Sequence, residues 1–350
     1  MKALFKFSVL LILLAGCKRD KVDFIGPAYI SAPSGFEVMS FTSSLSSVDF
    51  TVDSVFLNAT FSHEVTWKLT ITGKKSGAVE EISGTSKGFS NLKWNGCHTG
   101  VYFFKTDENA IATLSFFGTD LKPSLNINIL AERDFSTYGQ FPFFGDFENE
   151  AGIQQNSIWY AFSNPITPIP NVKQGVDSIA IDYNGNLVPT VQGKNYYFIK
   201  GKGDQPAFVS GIRYDKAQKL ISPVLTATPD NIWVNVYIYG TGDANASVEI
   251  EYQEAHMNGP VPVYDQEIDD AFVAYVTLSH KGWKLFSFKY SDLTPSLNAK
   301  FGGSGNKIHE PQLLKAFDLI LVKKSNPDSP VELYFDYPII TVGGPFNPSK

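Results

Sequence analysis

Short segments in which apolar and polar residues alternate recur along the first half of the chain. Side chains of a β-strand point alternately to the two faces of a sheet, so this period of two predicts strands with one buried face. Gly-containing turns separate the segments, and this arrangement favours a β-sandwich over residues 36–130. The strand candidates are Val48–Val52, Val65–Ile71, Val101–Phe104 and Ala112–Phe117.

The second half of the chain carries similar short segments, separated by turn signals such as Asn184-Gly185. One short helix is predicted within Asn306–Phe317. Residues 131–145 contain two Gly and one Pro and predict a linker, which places a second domain at residues 146–346. The strand candidates of this domain are Ser178–Ile181, Tyr196–Lys200, Ile232–Tyr239, Ser247–Gln253, Val273–Leu278, Trp283–Tyr290, Ala316–Lys323 and Val331–Tyr337.

Composition favours sheet over helix or disorder. Aromatic residues make up 14% of the chain and charged residues 18%, and there are 28 Gly and 20 Pro. Aromatic residues favour strands, Gly and Pro favour turns, and a disordered chain carries more charge and fewer aromatics. The predicted fold class is therefore all-β. A formal net charge of −6 argues against a nucleic-acid partner.

The start of the chain has the pattern of an export signal. Two lysines precede an apolar run at residues 7–14, which is shorter than the roughly 20 residues that cross a bilayer. Leu14-Ala15-Gly16-Cys17 follows and resembles the lipobox of bacterial lipoproteins. The resemblance implies a signal peptide at residues 1–16, acylation of Cys17 with fatty acids such as palmitate, and a lipid anchor with a tether over residues 17–35.

The residues next to the lipobox bear on localisation and redox state. Residue 18 is Lys, whereas an Asp at this place favours retention in the inner membrane of enteric bacteria. We therefore expect a lipid anchor in the outer membrane, facing the periplasm or the cell surface. With Cys17 acylated, Cys97 has no partner for an intramolecular disulfide, and we expect it to be a small buried residue and not a nucleophile.

A strand, a turn and an aromatic corner stand close together in the first domain. They are Trp67–Gly73, Ser76-Gly77 and Trp94-Asn95-Gly96. In this order they resemble the immunoglobulin-like modules of secreted bacterial surface proteins. The resemblance covers residues 36–130 and implies an immunoglobulin-like β-sandwich that acts as a spacer or docking module.

Four short segments stand out in the second domain: Asp146-Phe147-Glu148, Gly282-Trp283-Lys284, Tyr290–Leu293 and Phe335-Asp336-Tyr337. Together they resemble galactose-binding-like jelly rolls, the fold of many carbohydrate-binding modules. The resemblance implies a jelly-roll β-sandwich that binds a ligand on its concave face or edge loops. Such modules often hold a structural calcium ion where the first and last strands meet, and Ca²⁺ prefers oxygen ligands. The residues matching those places are Asp146, Glu148 and Asp336; the alternative for them is ordinary turn capping.

A predicted hairpin supplies the candidate binding site. Ile232–Tyr239 and Ser247–Gln253 alternate cleanly, so their apolar residues are expected to share one core face. The other face would place aromatic rings beside carboxylates and amides, which suits a sugar, because rings stack on its C–H face and acceptors bind its hydroxyls. The alternative is a sheet face packed on loops. The predicted glycan-binding residues are Trp233, Asn235, Tyr237, Tyr239, Glu249, Glu251 and Gln253.

The sequence gives little support for catalysis. Glu249–Glu254 resembles the E-x-D-x-x-E signature of laminarinase-type retaining glycosidases, but a Glu replaces the Asp, and a plain strand would turn Glu249 and Glu254 to opposite faces. The histidines lack metal-ligand spacing, and no phosphate or dinucleotide motif is evident, so no organic cofactor is expected. The leading hypothesis is a non-catalytic lipoprotein that binds a polysaccharide. The alternative is a structural or assembly lipoprotein that binds other envelope proteins, and a glycosidase is the third reading.

Overall fold

The computed structural model describes residues 29–135, 145, 147–148, 159–163, 172–201, 207–215, 227–258, 261–262, 264–265, 267–296, 305–324 and 329–349. These residues form nineteen strands and no α-helix, so the predicted all-β fold class is confirmed. Within these ranges no helix is long and apolar enough to span a bilayer. The predicted signal peptide, the lipobox and the tether up to residue 28 lie outside the described residues.

Six strands form the first sandwich: β1 (Val38–Ser43), β2 (Ser47–Asp49), β3 (Val55–Gly73), β4 (Val79–Trp94), β5 (Glu108–Phe116) and β6 (Ser124–Ala131). They are ordered β1-β3-β5-β6-β2, with β4 also paired to β3. The first half of β3 pairs with β1 and the second half with β5, and the register to β4 shifts between Thr60 and Val65. Such an irregularity bends a strand, so β3 can line the core along its whole length.

Alternate residues of β3 are buried in this first core, from Val55 to Phe61 and again from Val65 to Ile71. Trp94 at the end of β4 is fully buried, and its indole N–H donates to the carbonyl of Cys97 at 3.1 Å. The rings of Phe50 and Phe104 meet the Trp94 ring edge-on, at centroid distances of 4.8 and 4.9 Å. Burying a large apolar side chain contributes about 1.5–3 kcal/mol. Cys97 is buried, as the sequence predicts.

Thirteen further strands follow among the described residues. They are β7 (Trp159–Ser163), β8 (Lys173–Asp177), β9 (Tyr196–Gly201), β10 (Ala207–Asp215), β11 (Ile232–Thr241), β12 (Ala246–Glu254), β13 (Met257–Asn258), β14 (Val261–Pro262), β15 (Ala271–Thr277), β16 (Lys281–Lys289), β17 (Thr294–Pro295), β18 (Leu314–Lys323) and β19 (Val331–Val342). β13 and β14 form a small ribbon of their own.

The second sandwich consists of two sheets facing one core. The front sheet has the order β17-β15-β12-β18-β10-β7, and the back sheet has the order β16-β11-β19-β9-β8. Val236 and Ile238 enter the core from the back sheet, and Ile250 and Leu319 enter it from the front sheet, all with no exposed surface. Residues between them on each strand therefore lie on the two outer faces of the sandwich.

The two sandwiches contact each other through an aromatic cluster on the outer face of the back sheet. Phe103 and Phe135 of the first sandwich pack there with Tyr337 and Phe346 of the second. The Phe103 N–H donates to the Val191 carbonyl at 2.9 Å, beside this cluster. The predicted domain boundaries stay a prediction, because residues 136–144 of the linker lie outside the described residues.

Three predicted elements are wrong. Val101–Phe104 and Ser178–Ile181 are not strands, because their apolar residues, such as Phe103 and Ala180, pack into the contact between the sandwiches as loops. The predicted short helix within Asn306–Phe317 is only a 3₁₀ turn at Pro311–Leu313, directly followed by β18. Pro311 begins this turn, and the apolar run after it alternates into the core as a strand.

Candidate functional site

The two strands of the predicted hairpin do not pair with each other. β11 pairs with β16 and β19 in the back sheet, whereas β12 pairs with β15 and β18 in the front sheet. The turn between them, at Gly242 and Asp243, carries the chain from one sheet to the other. Their apolar residues share one core, as predicted, but from opposite sides. The predicted groove of aromatic rings beside carboxylates is therefore wrong, since the two rows lie on opposite outer faces.

The aromatic row of β11 lies under the first sandwich. Asn235 has no exposed surface and Tyr237 has 1%. The Asn235 side-chain amide donates to the Ile339 carbonyl and to the Thr341 hydroxyl, at 3.1 and 3.0 Å, and its oxygen accepts the N–H of Phe346 at 2.9 Å. The Tyr237 ring meets Phe103 at 5.5 Å.

Burial raises the pKa of Tyr237. Tyr239 is also buried and packs on Trp283, while Trp233 at the start of β11 is half-buried. This sheet face is therefore packed against other parts of the protein, which is the alternative to a binding face that the sequence analysis leaves open. Asn235, Tyr237 and Tyr239 are not open to a ligand in this structure.

The acidic row of β12 lies on the outer face of the front sheet, where it meets charged residues from neighbouring strands. Glu251 stands opposite Asp318 of β18, and Asp318 stands opposite Arg213 of β10. One step along β12, Glu249 stands opposite Tyr275 of β15. We call this set the polar face; its residues are Arg213, Glu249, Glu251, Gln253, Tyr275 and Asp318.

Arg213 holds the centre of the polar face together. Its Nε donates to Asp318 Oδ1 at 2.7 Å, and its terminal nitrogen Nη2 donates to Asp318 Oδ2. The same terminal nitrogen lies 3.8 Å from Glu251 Oε1. Gln253 Nε2 donates to that oxygen of Glu251 at 2.6 Å. A two-pronged guanidinium–carboxylate pair fixes both side chains in one geometry, so the centre of the face is rigid before any ligand arrives.

The exposed fraction of the side chains increases across the polar face, from its centre towards Tyr275. Asp318 has no exposed surface, Gln253 has 2%, and Tyr275 at the far side is 59% exposed. Glu249 lies between them, half-buried, and stands opposite Tyr275 of β15. The carboxamide oxygen of Gln253 is buried without a hydrogen-bond partner among the described residues. A buried acceptor without a partner is costly.

The carboxyl groups of this face have raised pKa values. Burial is the largest cause for Glu251, and the negative charges of Asp318 and Glu249 add to it, so its pKa rises to about 8 despite Arg213. Burial likewise raises the pKa of Glu249 and of Tyr264, which lies within electrostatic reach of Glu251 and Arg213. A carboxyl group with a pKa near 8 is mostly protonated at neutral pH, so it can both donate and accept hydrogen bonds.

The acidic pair of the glycosidase reading does not converge. Glu249 stands opposite the exposed Tyr275 on the front sheet. Glu254 follows a register shift at the end of β12, and its Oε1 accepts the Glu310 N–H at 2.7 Å and the hydroxyl of Tyr290. The Tyr290 ring belongs to the sandwich core. The two carboxyl groups therefore have separate surroundings, and the signature predicted for Glu249–Glu254 does not form a cleft.

The predicted calcium ligands are described only in part. Asp146 lies outside the described residues. Glu148 Oε1 accepts the N–H groups of Lys194 and Asn195 at 2.7 and 2.8 Å, and Asp336 Oδ1 accepts the Tyr337 N–H at 2.8 Å.

Lys105 also lies within electrostatic reach of Glu148 and Asp336. Among the described residues no group of three or more His, Cys, Asp or Glu is placed to hold a metal ion. The calcium site stays a prediction; a fall in Tm on adding EDTA would support it.

Sequence reasoning found Glu249, Glu251 and Gln253 but missed Arg213 and Asp318. The signal was present, because both are charged residues within apolar segments that alternate into the core. Asp318 stands between Phe317 and Leu319, which are fully buried. What sequence lacked was the pairing of β10, β12 and β18, which brings residues about 40 to 100 positions apart into one row.

Comparison with known proteins identifies no family for this chain. No family model matches it, and no curated protein sequence matches it. Among solved structures, it is similar to the family 11 carbohydrate-binding module from Clostridium thermocellum in complex with a β-1,3-1,4-mixed-linked tetrasaccharide, with 14% identity and a TM-score of 0.37 over 58% of this chain and 95% of that chain.

Two further solved structures are similar. A family 30 carbohydrate-binding module has 13% identity and a TM-score of 0.33 over 52% of this chain and 82% of that chain. A carbohydrate-binding module of the β-sandwich superfamily has 10% identity and a TM-score of 0.36 over 90% of this chain and 99% of that chain. At this identity the ligands of these modules are not transferred to the chain, which is an all-β protein of stacked β-sandwiches.

Proposed function

We propose that this protein is a non-catalytic glycan-binding protein and that its polar face is the binding site. The observation that carries the proposal is the rigid row of Arg213, Asp318, Glu251 and Gln253, which leads to the exposed ring of Tyr275. Sugars combine hydroxyl groups that both donate and accept with an apolar C–H face. The row offers donors and acceptors in fixed positions, and the tyrosine ring offers a flat apolar surface.

The charges of the polar face favour a neutral glycan. It holds three carboxyl groups, of Glu249, Glu251 and Asp318, against the single guanidinium of Arg213, which is already paired with Asp318. Among the described residues of the polar face Arg213 is the only cation, so a uronate or sulfate group would meet carboxyl groups instead. Because like charges repel in a partly buried site, we expect polysaccharides without charged groups to bind best.

The test is affinity electrophoresis and calorimetry with neutral polysaccharides: mixed-linkage β-glucan, xylan and agarose, with polygalacturonate as the charged control. Tyr275→Ala removes the exposed ring and should weaken binding about tenfold, or about 1.4 kcal/mol. Glu251→Gln keeps the shape but changes the hydrogen-bonding pattern, and should also weaken binding.

The matched control is Tyr183→Ala, which removes a tyrosine that is 50% exposed and lies outside the polar face. It should bind as the unaltered protein does. Equal binding by all three variants, with folding intact, would contradict the proposed site, and the absence of binding to any neutral polysaccharide would contradict the proposed function.

Membrane attachment through Cys17 is part of the same proposal, supported by the lipobox resemblance of residues 14–17. An acylated protein held in the outer membrane would keep a captured polysaccharide at the cell envelope. In cells fed with labelled palmitate, the protein should carry the label and partition into detergent, whereas Cys17→Ser should do neither. A labelled Cys17→Ser protein would show that another residue carries the lipid.

A second candidate function, binding of another envelope protein, is favoured by one surface. The hairpin around residues 179–187 buries Ala180 against the back sheet but exposes Ile179, Ile181 and Leu187 by 71%, 51% and 56%. Neighbouring exposed apolar residues often mark a protein contact. Crosslinking from position 181 in intact cells should capture a partner if this function holds, and it should capture none if glycan binding is the only role.

A further inference from the structure

A groove crosses the outer face of the first sandwich, far in sequence from the polar face. Its volume is about 640 Å³, which is within the usual size of small-ligand sites of roughly 300–1,000 Å³. Strands β3, β4 and β5 form its floor, and two aromatic rings stand over it. We call it the hydroxyl groove; its lining includes Tyr29, Thr66, Lys68, Ser83, Ser115 and Phe117.

The strand register explains why the floor is polar. Trp67 and Leu69 point into the core, so Thr66 and Lys68 point outward. Lys68 stands opposite Ser83 of β4 on one side and opposite Ser115 of β5 on the other. A transverse row across three strands thus carries two hydroxyl groups and one ammonium group on a regular sheet.

The floor is held in place and carries no uncompensated charge. Thr66 Oγ1 accepts the N–H of Ile30 at 2.8 Å and is 2.9 Å from the hydroxyl of Thr85. Among the described residues that line the groove, Lys68 is the only charged one, and its ammonium group lies 2.5 Å from Glu81. These residues therefore present hydroxyl groups and a neutralised ion pair.

Tyr29 and Phe117 form one wall of the hydroxyl groove. Their ring centroids are 5.5 Å apart, and the side chains are 69% and 53% exposed. Backbone hydrogen bonds fix the segment after Tyr29, since the Thr66 N–H donates to the Ile30 carbonyl and the Ala32 N–H donates to the Phe117 carbonyl. Two large rings are thus held open to solvent by an ordered backbone, beside a hydroxyl-lined floor.

We propose that the hydroxyl groove is a second glycan-binding site, which takes a short stretch of a neutral polysaccharide chain. The ring wall matches the apolar C–H face of a sugar, and the hydroxyl floor matches its polar edge. The pairing of Lys68 with Glu81 fits an uncharged ligand. This site rests on its own residues and does not depend on the polar face.

Two sites on one protein change how it holds a long polymer. When both sites engage the same chain or neighbouring chains, the second contact is intramolecular, and the retention of the protein rises on the order of 10²-fold or more over one site. Short oligosaccharides, which cannot reach both sites, gain nothing from the second site. Binding through both sites is therefore distinguishable from binding through one site by the length of the ligand.

The experiment compares variants of the purified protein in gels containing mixed-linkage β-glucan, xylan or agarose. Tyr29→Ala/Phe117→Ala should be retained much less than the unaltered protein, on the order of 10²-fold by dissociation constant on polymer. In a Tyr275→Ala background the double change should remove the retention that is left. The matched control is Phe56→Ala, an exposed phenylalanine on β3 outside the groove, which should be retained normally.

A second variant guards against misfolding. Ser83→Arg starts from an exposed floor residue and places a bulky cation in the groove, so it should reduce retention with an unchanged Tm. Normal retention of both the double variant and Ser83→Arg, alone and with Tyr275→Ala, would overturn the inference, as would failure of every neutral polysaccharide to retain the protein. Loss of retention in the groove variants but not in Tyr275→Ala would overturn the polar face and keep the groove.

Discussion

The two outer faces of the second sandwich are built by the same alternating strand pattern, but they differ in their residues and in what these residues contact. The face of the back sheet carries Tyr237 and Asn235, which lie buried under the first sandwich and a C-terminal segment. The face of the front sheet carries Glu251 and Asp318, linked through Arg213 and open on the side of Tyr275. Alternation marks both faces as outward. Asp318 and Glu251 are nearly as buried as Asn235 and Tyr237, and the front face differs in its charged residues and in the exposed Tyr275 at its side.

The difference has a physical cause. A tyrosine or asparagine can be buried at a domain contact when local partners satisfy its polar atoms, as the Asn235 amide shows with Ile339, Thr341 and Phe346. A row of carboxyl groups loses hydration when covered, and here burial already raises the pKa of Glu251 to about 8. A face of this kind is better matched by a hydroxyl-rich ligand than by another apolar protein surface.

The largest expected effect is on the free energy of unfolding, which should fall far more after a substitution on the back face than after one on the front face. Tyr237→Ala should lower the free energy of unfolding by about 3–5 kcal/mol, because it leaves a cavity in the contact between the sandwiches. Tyr275→Ala on the open face should change it by less than about 0.5 kcal/mol. Urea denaturation followed by tryptophan fluorescence measures both. Similar costs for the two substitutions would show that the two faces are equally covered.

Next in size is the charge network of the polar face. Arg213→Ala removes the guanidinium that pairs with the fully buried Asp318 and should cost about 3 kcal/mol of unfolding free energy. Arg213→Met combined with Asp318→Leu removes both charges together and should recover most of that loss. Urea denaturation of the single and double variants measures the difference. A double variant as unstable as Arg213→Ala would mean that the pair itself, and not the unpaired charge, sets the stability.

The third expected effect concerns pH. Burial raises the pKa of Glu254 from its usual 4.5 to about 8, so the folded state holds a proton that the unfolded state has lost between these values. Stability from this group is present below pH 4.5 and is lost as the pH rises towards 8. Glu254→Gln, which keeps an oxygen for Tyr290 and the Glu310 N–H, should show a smaller fall in unfolding free energy between pH 5 and 8. Parallel pH profiles of the two proteins would contradict the raised pKa.

Much of the fold could be predicted from sequence, because strand period and core direction are local properties. Val234, Val236 and Ile238 point into the core as expected, and so do Val248 and Ile250. Which strands pair is not local. The turn at Gly242 has the composition of a hairpin, yet β11 and β12 each pair with strands that are more distant in the sequence.

For the same reason, only part of the candidate site could be predicted from the sequence. Its acidic row could be found from the alternation of β12 alone, but Arg213 and Asp318 enter only through long-range pairing. The aromatic row was misplaced because the sequence does not show which outer face the first sandwich covers. Phe103 and Phe135, which cover it, come from segments with no strand pattern of their own.

The most direct test of the central claim is hydrogen–deuterium exchange of the purified protein with and without a neutral polysaccharide that it retains. We expect slower exchange in β12, β15 and β18 around Glu251, Tyr275 and Asp318, and unchanged exchange in β11 around Tyr237. Protection confined to the back sheet or to residues 179–187, with the front sheet unchanged, would contradict the assignment of the polar face as the glycan-binding site.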